Sequence, residues 1–111
     1  MSAGAFEAYT TGRTITYAEQ GATTYGREHY GPDRTVLWSD DGQTCTAGRW
    51  YPNGSRICFV YEDDPTPQCW IFFKTAKGLR ALYQNHPGVG PLLEVPGPDA
   101  PLACAGPVPS V

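Results

Sequence analysis

The sequence predicts an all-β domain: an antiparallel meander of about eight short strands that closes into a small up-and-down barrel or strongly rolled sheet, followed by a proline-rich C-terminal tail. Three observations predict it. The 111 residues include 13 glycines and 11 prolines, well above the usual combined share of about 12%. Short β-prone runs recur down the chain, each closed by Gly, Pro, Asn or Asp. The connections between them are tight, whereas parallel neighbours need crossovers of about a dozen residues or more, so consecutive runs pair antiparallel. A meander of this length tends to close, because closure removes the unpaired edges that invite aggregation. An open sandwich is the alternative.

Residues 1–12 are mostly small or polar and read as frayed, unless Phe6 and Tyr9 dock as a short turn or helix. Regular structure starts near Arg13. Thr14-Ile15-Thr16-Tyr17 alternates polar and apolar and stops at Gln20-Gly21; Thr23 to Tyr30 follows, closed by Gly31-Pro32-Asp33; Thr35 to Trp38 is the third run. Asp41-Gly42 supplies the positive φ of a turn before Thr44 to Tyr51, and Asn53-Gly54, flanked by β-prone runs, is the strongest hairpin signal. Arg56 to Tyr61, Gln68 to Lys74, Leu79 to Tyr83 and Leu92 to Val95 complete the set. Pro96, Pro98, Pro101, Pro107 and Pro109 then exclude the chain from a sheet interior. The expected organisation is a barrel-like domain over 13–96 and a tail over 97–111, extended or disordered beyond Cys104.

A chain of this size holds one core. Its net charge is -3 and its basic residues are scattered, which disfavours nucleic acid as a partner. The longest apolar run, Cys69 to Phe73, ends at Lys74, far short of the roughly 18 residues a membrane span needs. No membrane insertion is expected.

The four cysteines, Cys45, Cys58, Cys69 and Cys104, contain no C-x-x-C pair and lie far from both histidines, a poor pattern for zinc. In a small Gly/Pro-rich domain they read as two disulfides and hence as an exported, periplasmic or secreted protein. Met1 to Ala5 lacks the basic and apolar regions of a secretory signal, so export implies a signal peptide already removed. Of three possible pairings, Cys58–Cys69 is preferred because the segment between them reads as strand, turn and returning strand. Cys45 then pairs with Cys104 and ties the tail to the sheet.

Several elements together carry a family resemblance: Gly12-Arg13-Thr14, Trp38 before an Asp-Gly turn, Gly48-Arg49-Trp50, Ile57-Cys58-Phe59-Val60-Tyr61 and Gln68-Cys69-Trp70. In this order they resemble a family of small alphaproteobacterial periplasmic proteins of unknown function. The resemblance implies export, a β-rich fold and a Cys58–Cys69 link, and supplies no catalytic residues. Gly48-x-Trp50 is also similar to an element of lipocalin-like and avidin-like barrels, and the size and disulfide class are similar to those of small periplasmic lysozyme inhibitors.

Candidate chemistry is sparse. Glu28 and His29 are neighbours on a strand and project to opposite faces, so they cannot share a ligand, and they read as solvated strand residues. His86 reads as a loop residue. Glu62-Asp63-Asp64 lacks the spaced oxygen ligands of a calcium loop and reads as a solvated turn. The cysteines are engaged structurally, no G-x-S-x-G or phosphate-binding glycine loop is present, and Asn53-Gly54-Ser55 matches a glycosylation acceptor but is explained by the hairpin. No enzyme activity, catalytic residue, metal or cofactor is expected.

The aromatics say more. Alternation places Trp50 opposite Tyr51, and Trp70 with Phe72 opposite Ile71 with Phe73, so both faces of the central strands are apolar. One face must be core; the other leaves a possible binding surface, for which Trp50, Tyr51, Tyr61, Trp70 and Phe72 are the candidates. The expected function is therefore a non-catalytic interaction module whose partner is another protein, as accessory subunit or inhibitor. The alternative is a small-ligand carrier with a pocket inside the barrel, against which the many large aromatics argue.

Overall fold

The computed structural model describes residues 1–21, 24–86 and 88–104; the expectation for the tail beyond Cys104 falls outside these. Ala3–Thr10 form a helix, α1, followed by β1 (Thr14–Glu19), β2 (Thr24–Tyr30), β3 (Thr35–Ser39), β4 (Thr46–Asn53), β5 (Arg56–Tyr61), β6 (Asp64–Thr75), β7 (Gly78–Tyr83) and β8 (Leu92–Val95). Each strand pairs antiparallel with the next, and β8 returns to β1 to close the barrel in sequence order. All eight β-prone runs become strands.

Local chemistry explains the joints. Asn53 pairs with Arg56, leaving Gly54-Ser55 as a two-residue loop in which Gly54 takes the positive φ of 61°. The strand β6 begins earlier than the sequence suggests and includes Pro65 and Pro67. Its pairing with β7 starts only at Trp70, so one side of the proline stretch has no neighbouring strand, the position where proline is tolerated. The Asn85 side chain substitutes for that neighbour: it accepts from the Cys69 N–H at 3.0 Å and donates to the Pro67 carbonyl at 2.9 Å.

The two ends of the barrel differ. At one end lies α1, capped by Ser2, whose hydroxyl accepts from the Ala5 N–H at 3.1 Å. Eight residues are too few for a stable isolated helix; docking supplies the rest. Phe6 is fully buried, edge-on to Trp50 at 5.1 Å and Tyr30 at 5.7 Å between ring centroids, and 4.5 Å from Phe72. It plugs this end of the barrel. Around the plug, Glu94 accepts from the Tyr9 hydroxyl at 2.7 Å, from Arg13 at 3.1 Å and from the Leu79 N–H at 2.9 Å. The Arg34 guanidinium lies over the Trp50 ring at 4.6 Å and pairs with Glu7 at 3.3 Å. The N-terminal segment is thus docked and helical.

The strand β1 is buried on both faces because Gly97 of the tail lies against Thr16 on its outer side. The tail then ends, among the described residues, in the Cys45–Cys104 disulfide, while Cys58–Cys69 joins facing residues of β5 and β6. Both expected pairings are present. Among the described residues no helix is long and apolar enough to cross a membrane.

Candidate ligand cavity

Alternation sends Tyr17 and Tyr30, Glu28 and Trp38, and Phe59, Tyr61 and Gln68 into the barrel. Near the helix this inner face is filled by Phe6 and its aromatic neighbours. Towards the other end a cavity of about 480 Å³ remains, within the range usual for small-molecule sites.

The floor of the cavity is formed by Phe59, Phe72, Tyr17 and Tyr30, and its walls by Tyr25, Trp38, Tyr61 and Trp70. Small side chains at Ser39, Thr46 and Ala81 share the lining. Two glycines on the inner face make room for large rings. A Cβ at Gly26 would collide with the Trp38 ring, and one at Gly48 would sit 2.5 Å from the Val60 carbonyl oxygen and 2.8 Å from the Tyr61 ring. Gly48→Ala is therefore expected to push the β5 backbone and Tyr61 off their places and destabilise the domain by about 1–3 kcal/mol, measured by urea unfolding; a change below about 0.5 kcal/mol would show that this close approach does not constrain β5 and its ring.

Among the described residues Glu28 is the one charged residue that is buried, with 4% of its surface exposed. The Tyr61 hydroxyl donates to its Oε2 at 2.6 Å. Burial raises the Glu28 carboxyl to about 8, against the opposing hydrogen bonds of Tyr61 and Tyr30. Beside it the Tyr17 and Tyr30 hydroxyls meet at 2.8 Å. Burial holds Tyr17, Tyr30 and Tyr61 well above the ordinary tyrosine range, so all three stay protonated hydrogen-bonding groups. The mouth is acidic: Asp40, Asp41 and Asp63 line it. Asp41 accepts from the Gln43 and Thr44 N–H groups at 2.7 Å each and from the Ser39 hydroxyl at 3.1 Å. These bonds hold its carboxyl at about 2, so it is charged at any ordinary pH.

The structure rearranges the residues picked out from sequence. Trp50 and Phe72 are each 3% exposed and pack on Phe6, and Tyr61 and Trp70 line the cavity; only Tyr51, 39% exposed, lies on the outer wall. The five do not form an outer aromatic surface, because alternation puts four of them on the face that α1 and the lumen occupy. Tyr61, Trp70 and Phe72 do come together, on the inside. Glu28 and His29 project to opposite faces as expected, but Glu28 is not solvated: it is buried inside the barrel. His29 pairs with the Thr14 hydroxyl at 2.8 Å, and burial lowers its imidazole below the ordinary range. Of the Glu62-Asp63-Asp64 turn, Asp63 joins the mouth. The alternating positions of Gly26, Glu28 and Tyr30 along one strand are the sequence signal for this site. Comparison of the chain with protein-family models, with curated proteins and with solved structures finds no match.

Proposed function

We propose that the protein is an exported, non-catalytic binding protein that holds a small organic molecule inside its barrel. The observation that carries this is the aromatic-walled cavity of about 480 Å³ with a buried carboxyl in its wall: apolar walls with a few placed polar groups are the usual composition of a small-molecule site. Two disulfides and no free cysteine support export to an oxidising compartment, and the resemblance to periplasmic proteins points the same way. The Ser39 hydroxyl at the mouth is used by Asp41 within its turn, which favours binding over catalysis.

A protein-facing module is the second reading, favoured by Tyr51 and Phe73, which are 39% and 44% exposed on the outer wall. They do not make a continuous patch: Tyr51 is in line with Cys58 and Cys69 across the sheet, and Phe73 is two strands over on β6 and four residues, roughly 13 Å, further along it.

Titration with the neutral apolar dye N-phenyl-1-naphthylamine separates the two. The cavity reading expects saturable one-site fluorescence enhancement that Thr46→Trp, which fills the lumen from its wall, weakens at least about tenfold, while Tyr51→Ala leaves it unchanged. Loss of binding in Tyr51→Ala with retention in Thr46→Trp would favour the outer surface.

A further inference from the structure

The lining of the cavity is biased in charge. It includes four carboxylate side chains, Glu28, Asp40, Asp41 and Asp63, and no lysine, arginine or histidine. The two salt bridges among the described residues use other acids, Glu94 and Glu7, so Glu28 has no paired cation among the described residues. Burying a carboxyl without a counter-charge is costly, and here it is done at a place that a ligand can reach. The rings of Trp38, Tyr61 and Trp70 line the same space, and aromatic rings attract organic cations to their faces. A metal ion fits less well, since no group of three or more metal-ligating side chains gathers among the described residues. An organic acid would meet four acidic side chains and no basic one.

We propose that the cavity takes a small aralkyl primary amine, its ammonium group against Glu28 and its apolar body between Trp38, Tyr61 and Trp70. This rests on the ligand-binding reading and adds the chemical class of the ligand. The ammonium supplies the counter-charge that the protein withholds, and the Asp40, Asp41 and Asp63 rim draws cations towards the mouth.

Binding is coupled to a proton. In the empty barrel Glu28 is held at about 8 and is mostly protonated at pH 7; pairing with an ammonium requires the carboxylate, so the carboxyl O–H proton leaves to solvent as the amine binds. The groups facing Glu28 are Tyr17 from β1, Tyr25 and Tyr30 from β2, Tyr61 from β5, and Asp40, Asp41 and Asp63 at the mouth. On α1, Glu7 is engaged by Arg34, and on β8, Glu94 is engaged at the closed end. None of the three facing tyrosines bonded around Glu28 ionises near neutrality, and Asp41 is already charged. Glu28 is thus the group whose proton responds.

Calorimetric titration with phenethylamine, 2-phenylethanol and 3-phenylpropanoate tests this with bodies of nearly one shape and three charges. At pH 8 the amine is expected to bind at least about tenfold more tightly than the alcohol, and the acid least. Affinity for the amine should rise about tenfold per pH unit below 8 and level off above it, and titrations in buffers of different ionisation enthalpy should show about one proton released per amine at pH 7. Glu28→Gln should bring the amine to within about threefold of the alcohol, whereas Tyr51→Ala, on the outer wall, should keep the full amine preference. The inference is overturned if the alcohol or the acid binds as tightly as the amine, if the wild-type protein releases no proton, or if Glu28→Gln keeps the amine preference. Saturable binding of all three alike would leave the cavity reading standing without its charge selectivity; binding of none, at millimolar concentration and with the neutral dye also failing, would remove both.

Discussion

Replacing Phe6 by alanine is expected to cost about 4 kcal/mol and to lower the melting temperature by roughly 15–20 °C. The size follows from position. Phe6 is fully buried and touches the rings of Tyr30, Trp50, Phe59 and Phe72, which belong to β2, β4, β5 and β6, so its removal empties the point where four strands converge. A short helix cannot follow the lost contact inward, because the Tyr9 and Arg13 contacts with Glu94 pin its C-terminal end, and the void remains. The same change is expected to weaken the proposed ligand binding, since Phe59, Phe72 and Tyr30 form both the seat of Phe6 and the floor of the cavity. Denaturant unfolding followed by tryptophan fluorescence measures the cost; a loss below about 1 kcal/mol would mean that α1 does not close the barrel.

The second large effect depends on pH and comes from Glu28. Its carboxyl is held at about 8 in the folded protein, against an ordinary value of 4.5. Between these two values the unfolded chain has given up a proton that the folded state retains. The folded state therefore binds more protons, and its stability falls as pH rises through this window. The slope contributed is about 1.4 kcal/mol per pH unit, accumulating to about 4 kcal/mol by pH 8 and levelling off above it. Glu28→Gln keeps an acceptor for Tyr61 without the charge. It should leave stability near pH 4 little altered and raise it by several kcal/mol at pH 8. Urea unfolding of both proteins at pH 4, 6 and 8 checks this, and parallel pH profiles for the two would refute it. At the acid end the sign reverses: Asp41, held at about 2, contributes stability that is present above the ordinary aspartate range and is lost as pH falls through about 2. A buried carboxyl that destabilises the empty protein is the kind of cost retained for function.

The barrel was legible because its cues are local. Alternation in Thr14–Tyr17, the Asn53-Gly54 hairpin and the short spacing of Cys58 and Cys69 each act within a few residues, and the meander follows once neighbours must pair. Two features are only half legible, for different reasons: the docking of Phe6 and Tyr9 and a pocket inside the barrel both stand in the sequence as alternatives. The helix α1 is short and lacks a pattern of its own; it exists because Phe6 finds a socket built from four strands distant in sequence. The cavity was hidden by counting aromatics. Twelve large rings are enough to fill so small a barrel if all point inward, but Tyr51 and Phe73 point outward, Trp50, Phe59 and Phe72 crowd towards Phe6, and Gly26 and Gly48 let Trp38 and Tyr61 lie against the wall. The volume left over is a property of how the rings are distributed, which strand parity gives only once the register is known. The place of Glu28 is hidden for the same reason: beside His29 it reads as one of a solvated pair, and only the facing of Glu28 with Trp38 across β2 and β3 puts it inside.

The central claim is that a ligand sits in the lumen and not on the outer wall, and isotope-filtered NMR on the phenethylamine complex tests it most directly. The account predicts intermolecular NOEs from the bound amine to ring protons of Trp38, Tyr61 and Trp70. NOEs confined to Tyr51 and Phe73, with none to the cavity rings, would contradict it.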